Sequence, residues 1–293
     1  MNEESFVRKL SLLFPQSPDV RVGPGDDCAV LDFGAPDFIL AAVDQVISEV
    51  HYTRDTPPEA VAGKLLKRNV SDIAAMGGVP THALLSLAVC PMDESWLLAF
   101  HRGLAECAGS YGISVIGGDM AKLFAPGEAL SLTILGKVGR SRLCLRSNAR
   151  EGDCLFATGR FGNSFRSGHH LNFVPRLKEA RFLAGGFTRA MQDVSDGLLK
   201  DAGRLAAASG LALLLEPEKI PLRAGATLES ALAEGEDYEL LFAVPEHLRA
   251  RLENDWPFPD TELNCIGRFA GGDPGTVSGL KQNQINTGYD HFR

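Results

Sequence analysis

Apolar residues return at helical spacing after Thr56-Pro57-Pro58. Val61, Ala62, Leu65, Leu66, Val70, Ile73 and Ala74 share one face. The two prolines suit a cap and first turn, and Gly77-Gly78 mark the stop, so the pattern predicts a helix over 57–76. A second amphipathic pattern starts at the cap Asp93 and carries Trp96, Leu97, Phe100, Leu104 and Cys107 to about Tyr111. Shorter helices are predicted over 4–13, over 176–184, and from about Leu198 to Ser209-Gly210. Between them, short apolar or alternating runs predict strands over 38–43, 82–89, 113–116, 129–138, 154–157 and 211–215, with another after Glu239. Asp44 is expected to close the 38–43 strand, and Gly117-Gly118-Asp119 to end the 113–116 strand.

Carboxylates then recur where apolar segments end. Gly25-Asp26-Asp27 delivers two adjacent acids into the apolar run Cys28-Ala29-Val30-Leu31. Asp44, Asp119, Asp193 and Asp196 stand at strand or helix boundaries, and Asp72 falls in the last turns of the 57–76 helix. A carboxylate is mildly disfavoured there by the helix dipole. Asp72 therefore points into water, pairs with Arg68 one turn back, or holds a cation. Each acid has an ordinary explanation as a turn or cap residue. Together they suggest one cleft of hard oxygen ligands, which suits magnesium rather than zinc or copper and implies phosphate as a further ligand.

Composition narrows the classes. A net charge of -8 in 293 residues argues against a general nucleic-acid binder. An apolar fraction of 45% permits a sizeable core, and no apolar run is long enough to span a bilayer. The acidic start Met1-Asn2-Glu3-Glu4-Ser5 lacks the form of a signal peptide, and a cytoplasmic location is expected. Six scattered cysteines without a Cys-x-x-Cys pair are expected to be reduced thiols. The segment 139–152, with Arg140, Arg142, Arg146 and Arg150, is the candidate domain boundary. It reads either as a solvated linker or as a stretch in which a guanidinium meets a phosphate. The P-loop and protein-kinase signatures are both missing.

Six segments in this order resemble the thiamine-monophosphate kinase family, within the aminoimidazole ribonucleotide synthetase superfamily. They are Gly25-Asp26-Asp27-Cys28-Ala29-Val30, Asn69-Val70-Ser71-Asp72-Ile73-Ala74-Ala75-Met76-Gly77, Gly117-Gly118-Asp119, Asp193-Val194-Ser195-Asp196-Gly197-Leu198, Gly235-Glu236-Asp237-Tyr238-Glu239-Leu240 and Gly288-Tyr289-Asp290-His291-Phe292. The resemblance implies an α+β fold, with an N-terminal ATP- and metal-binding domain over 1–139 and a C-terminal α/β domain over 140–293 that completes the site. It also implies a homodimer joined through the N-terminal sheets. The implied reaction is transfer of the γ-phosphoryl group of ATP to thiamine monophosphate. Carried over by position, Asp27, Asp44, Asp72, Asp119, Asp193 and Asp196 would hold magnesium. Tyr111, Gly118, Asp119, Arg146 and Ser195 would contact ATP, and His51, Glu236 and Tyr289 the thiamine substrate. Phosphoryl transfer needs charge neutralisation and in-line positioning. The acceptor phosphate is already ionised, so no general base is assigned.

The chain also departs from the family pattern. Ala42-Val43 replaces two hydroxyl residues before Asp44, Glu49 replaces a small residue near His51, and Met120-Ala121 follows Asp119 where Thr or Ser is usual. The segment after Thr158-Gly159 is short, and Phe165-Arg166-Ser167-Gly168-His169-His170 replaces a glycine-rich course. These changes leave open a catalytically impaired nucleotide-binding paralogue, or another ATP-using enzyme of the superfamily.

Overall fold

The computed structural model describes Phe6 and residues 9–280. Alternating burial builds a first six-stranded sheet. Its chain order is β1 (Val20–Val22), β2 (Ala29–Leu31), β3 (Asp37–Ile47), helix α1 (Pro58–Ala75), β4 (Val79–Cys90), helix α2 (Glu94–Tyr111), β5 (Ser114–Lys122) and β6 (Gly127–Gly139). The strands lie in the order β1-β2-β3-β6-β4-β5. β3 and β6 pair antiparallel along their length, from Asp37↔Gly139 to Ile47↔Ala129. β4 and β5 run parallel, and α2 makes the crossover between them. Asp93 caps α2 through its Oδ1, which accepts from the Ser95 amide at 2.8 Å.

Two predicted strand ends move. β3 continues through Asp44 to Ile47, and β5 continues through Gly117-Gly118-Asp119 to Lys122. Pairing with full-length neighbours outweighs the local glycine and acid signals. Ser114↔His82 through Lys122↔Val89 keeps β5 extended. A Cβ at Gly118 would lie 2.0 Å from the Leu85 carbonyl oxygen, so glycine here serves close strand approach, not termination. Of the helix expected over 4–13, Phe6 and residues 9–11 are helical and residues 12–13 form a turn, while the other four positions lie outside the described residues.

The second half comprises β7 (Cys154–Thr158), α3 (His169–Asn172), α4 (Leu177–Leu183), β8 (Ala190–Asp193), α5 (Leu198–Ala208), β9 (Ala212–Leu215), α6 (Leu228–Ala233), β10 (Leu240–Val244), α7 (Glu246–Asp255), β11 (Leu263–Ala270) and β12 (Val277–Ser278). Its sheet has the order β12-β9-β11-β7-β10-β8. β7 and β10 are buried on both faces, and their period of two divides the core. Leu155, Ala157, Leu241 and Ala243 pack with Leu198 and Leu205 of α5. Phe156, Leu240, Phe242 and Val244 pack with Leu183 of α4 and Leu252 of α7.

Helix α1 joins the two halves. Val61, Leu65 and Ile73 enter the core of the first sheet, while Ala74 enters the second. A helix enclosed from both sides also buries polar positions, including Lys64, Asn69 and Ser71. The last turn of α1, and Asp72 with it, is thereby placed against the end of β8.

Candidate functional site

Three carboxylates meet at this junction. Oxygens of Asp27, Asp72 and Asp193 all lie within 4.8 Å of one another. They come from the turn before β2, the last turn of α1 and the end of β8. Ser71 donates to Asp193 Oδ2 at 2.5 Å. Arg146 donates through Nη2 to Asp27 Oδ1, and its backbone amide donates to Asp26 Oδ2 at 3.1 Å. Asp27 Oδ2 is buried with no hydrogen-bond partner among the described residues. Burial pushes the Asp72 carboxyl well above its ordinary range, and the charges of Asp44, Asp193 and Asp27 add to this. Asp193 is raised in the same way, by burial and then by Asp27. Burial and Asp27 raise Asp26 to about 7, against the pull of Arg146. Clustered acids in a low dielectric must bind protons or a cation. An all-oxygen set with an unsatisfied Asp27 Oδ2 fits a hard divalent ion such as magnesium.

Arg68 pairs with Asp44 at 2.7 Å, so of the alternatives for Asp72 the Arg68 ion pair is replaced. The Asp44 amide also donates to Asn69 Oδ1 at 3.2 Å. Asp196 sits beside Lys200 (3.0 Å) and Arg204 (2.7 Å). Burial works against its ionisation, but the two cations outweigh it and the carboxyl is lowered overall. The loop before α5 is organised by Asp201, a buried residue that the motif pattern does not single out. Its Oδ2 accepts the amides of Ser195 (3.0 Å) and Asp196 (2.9 Å). An acid in the first turn of a helix was the available signal.

Ser195 and Asp196 also line a cavity of 390 Å³ with His51, Arg68, Glu236 and Tyr238. His51 Nδ1 accepts the Ile47 amide at 3.0 Å, which holds the ring against the end of β3. Lys64, fully buried on α1, donates to the His51 carbonyl and to the Glu236 carboxylate. Burial pulls its ammonium down to about 8 despite Glu236. Lys64 was missed because a lysine at a helical apolar position reads as a snorkelling surface residue. Tyr238, at positive φ (51°), stacks on Phe173 at 4.1 Å, and its phenol oxygen has no hydrogen-bond partner among the described residues.

The remaining predicted residues lie elsewhere. Tyr111 ends α2, half-buried, with its phenol pushed up to about 12 by burial. Gly118 and Asp119 are exposed on the edge strand β5. There Asp119 is in register with Ser86, an exposed residue of β4, outside the Asp27-Asp72-Asp193 group. Tyr289 lies outside the described residues. In the 139–152 segment, Arg140 chelates Asp32 at 2.8 and 2.5 Å and covers the Phe38 ring, while Arg146 serves the acid cluster.

The model of the family "AIR synthase related protein, N-terminal domain" matches residues 25–138. The thiamine-monophosphate kinase of Rhodopirellula baltica is 36% identical, over 91% of this chain and 90% of its own. That of Salmonella typhimurium is 31% identical, over 94% and 93%. A solved structure described as "AaThiL complexed with AMPPCP and TMP" superposes with a TM-score of 0.84 at 28% identity, covering 99% of this chain and 97% of that one. The two-sheet fold with its carboxylate junction and these near-full-length relatives lead to one conclusion: the chain belongs to the thiamine-monophosphate kinase family.

Proposed function

We propose that this chain transfers the γ-phosphoryl group of ATP to the phosphate of thiamine monophosphate, giving thiamine diphosphate. The observation that carries the reading is the junction itself. The Asp27-Asp72-Asp193 group stands at the end of β8, and two residues further on Ser195 and Asp196 line the cavity that holds His51 and Glu236. Asp193 and two residues of the cavity lining thus follow from one strand end, which supports the reading.

Asp27, Asp72 and Asp193 would hold magnesium, with Asp44 and Asp196 as further oxygen donors once their cationic partners shift toward phosphate. The metal supplies charge neutralisation and alignment for the transferring phosphoryl group. Arg146 and Ser195 contact the nucleotide, and His51, Glu236 and Tyr289 orient the thiamine. Arg68, lining the cavity, faces the acceptor phosphate. Tyr111, Gly118 and Asp119 act on the nucleotide from a second copy of the chain. The outer face of the first sheet exposes Val43 and Leu84, apolar positions suited to such a homodimer. Residues 1–139 and 140–293 form the two domains. No helix among the described residues is long and apolar enough to cross a membrane, and the cytoplasm is the proposed location.

Purified protein with Mg-ATP and thiamine monophosphate should form thiamine diphosphate, read by chromatography. No product at high enzyme concentration, with both substrates saturating, overturns the reading.

A further inference from the structure

The short segment after β7 is folded tightly. Gly162 (φ +78°) runs so close to α6 that a Cβ there would lie 2.7 Å from the Ala231 nitrogen. Asn163 follows at φ 55°, with its backbone amide on Glu234 Oε2 (2.7 Å) and its side chain on the Ala224 carbonyl (2.9 Å). This turn carries Phe165 to the lining of the 390 Å³ cavity instead of into a core, and the residue stays 49% exposed. The Phe165 ring stacks on the buried His170, with centroids 4.2 Å apart and planes 15° from parallel. His170 is itself within 3.2 Å of the Ser164 carbonyl through Nδ1. The Phe165 ring is therefore held in place before any ligand arrives. The same cavity is lined by the acidic residues Glu234 and Glu236 and by Tyr238.

We propose that Phe165 is the aromatic wall on which the heteroaromatic end of the acceptor stacks, which makes it a specificity-determining residue of this chain. The inference rests on the function proposed above. Thiamine monophosphate carries an aminopyrimidine and a cationic thiazolium ring at the end opposite its phosphate. A flat cation is attracted to an aromatic face, and stacked ring pairs gain beyond their buried area. The neighbouring carboxylates favour the same charge. An acceptor bearing only a phosphate would gain nothing from Phe165.

The test compares the parent with Phe165→Ala and Phe165→Tyr in steady-state kinetics, with unphosphorylated thiamine as a competing ligand. Phe165→Ala should raise KM for thiamine monophosphate about tenfold, equal to about 1.4 kcal/mol. It should leave kcat and the KM for ATP within about twofold and raise the inhibition constant of thiamine by the same factor. Phe165→Tyr should match the parent. Equal KM and inhibition constants in the parent and Phe165→Ala overturn the role of Phe165 and leave the kinase reading standing. A parent that forms no thiamine diphosphate overturns the kinase reading. Calorimetry of thiamine monophosphate without ATP then decides separately: weaker binding by Phe165→Ala supports the aromatic wall, and equal or absent binding overturns it.

Discussion

Asp72→Asn offers a direct test of the carboxylate junction, because asparagine keeps the shape and removes one charge. Two charged carboxylates at the 4.8 Å limit repel by about 3.5 kcal/mol at an effective dielectric of 20. Asp72 faces two such neighbours, opposed by the charge of Arg68, and no hydrogen bond to its carboxylate is made among the described residues. Partial protonation relieves some of this strain, which leaves a gain of about 1–3 kcal/mol for the metal-free variant near neutral pH. For a chain of this size that is a rise of several degrees in Tm. The parent should be stabilised by magnesium, with the logarithm of metal concentration once the site fills, whereas the variant should respond far less. Its turnover should fall at least about tenfold. The assay is thermal melting in chelator and across a magnesium titration, with turnover measured in parallel. A variant that melts at or below the parent in chelator, yet keeps the full magnesium response, would refute the account of Asp72 as a repelling ligand.

Other outcomes follow from the same geometry. Asp26 is raised to about 7 from an ordinary value of 3.8, so between these pH values the folded metal-free protein binds more protons than the unfolded chain. Its stability should therefore fall as pH rises from about 4 to about 7, and magnesium affinity should rise over the same window as protons leave, both readable by melting with and without metal. Lys64→Met should lose about 2–3 kcal/mol in denaturant unfolding, below a fully buried pair because Glu236 keeps 21% of its side-chain exposure, and should raise KM for the acceptor more than KM for ATP. Gly118→Ala should destabilise the first sheet by more than 1 kcal/mol, since its Cβ meets the Leu85 carbonyl at 2.0 Å; an unchanged unfolding midpoint would show that β5 can shift away from β4.

Elements with strong local signals were legible. The helix from Pro58 to Ala75 follows from apolar spacing, two prolines and two glycines, and Asp93 announces α2 through its side-chain cap. These signals act within a few residues, where the backbone must satisfy its own hydrogen bonds. The ends of β3 and β5 were not legible, because a strand stops where its neighbour stops. The candidate ligands were visible as acids beside glycine and apolar runs, but their grouping was not. Asp27, Asp72 and Asp193 are separated by 45 and 121 residues, and only the packing of α1 between two sheets makes them neighbours. Asp119 carries the same local signature and lies on an exposed edge strand instead.

Residue chemistry along the chain pointed to hard oxygen ligands beside a phosphate-bearing substrate, and its ordered segments were sufficient to select the family. Tertiary packing alone chose which acids share a site, tied Arg68 to Asp44 rather than Asp72, enclosed Lys64 beneath Glu236 and His51, and set Phe165 at the cavity. The reason is range. Caps, turns and periodicity are set by neighbours in sequence, whereas mutual repulsion, ion pairing and burial depend on distances in space that exist only once both sheets have closed on α1.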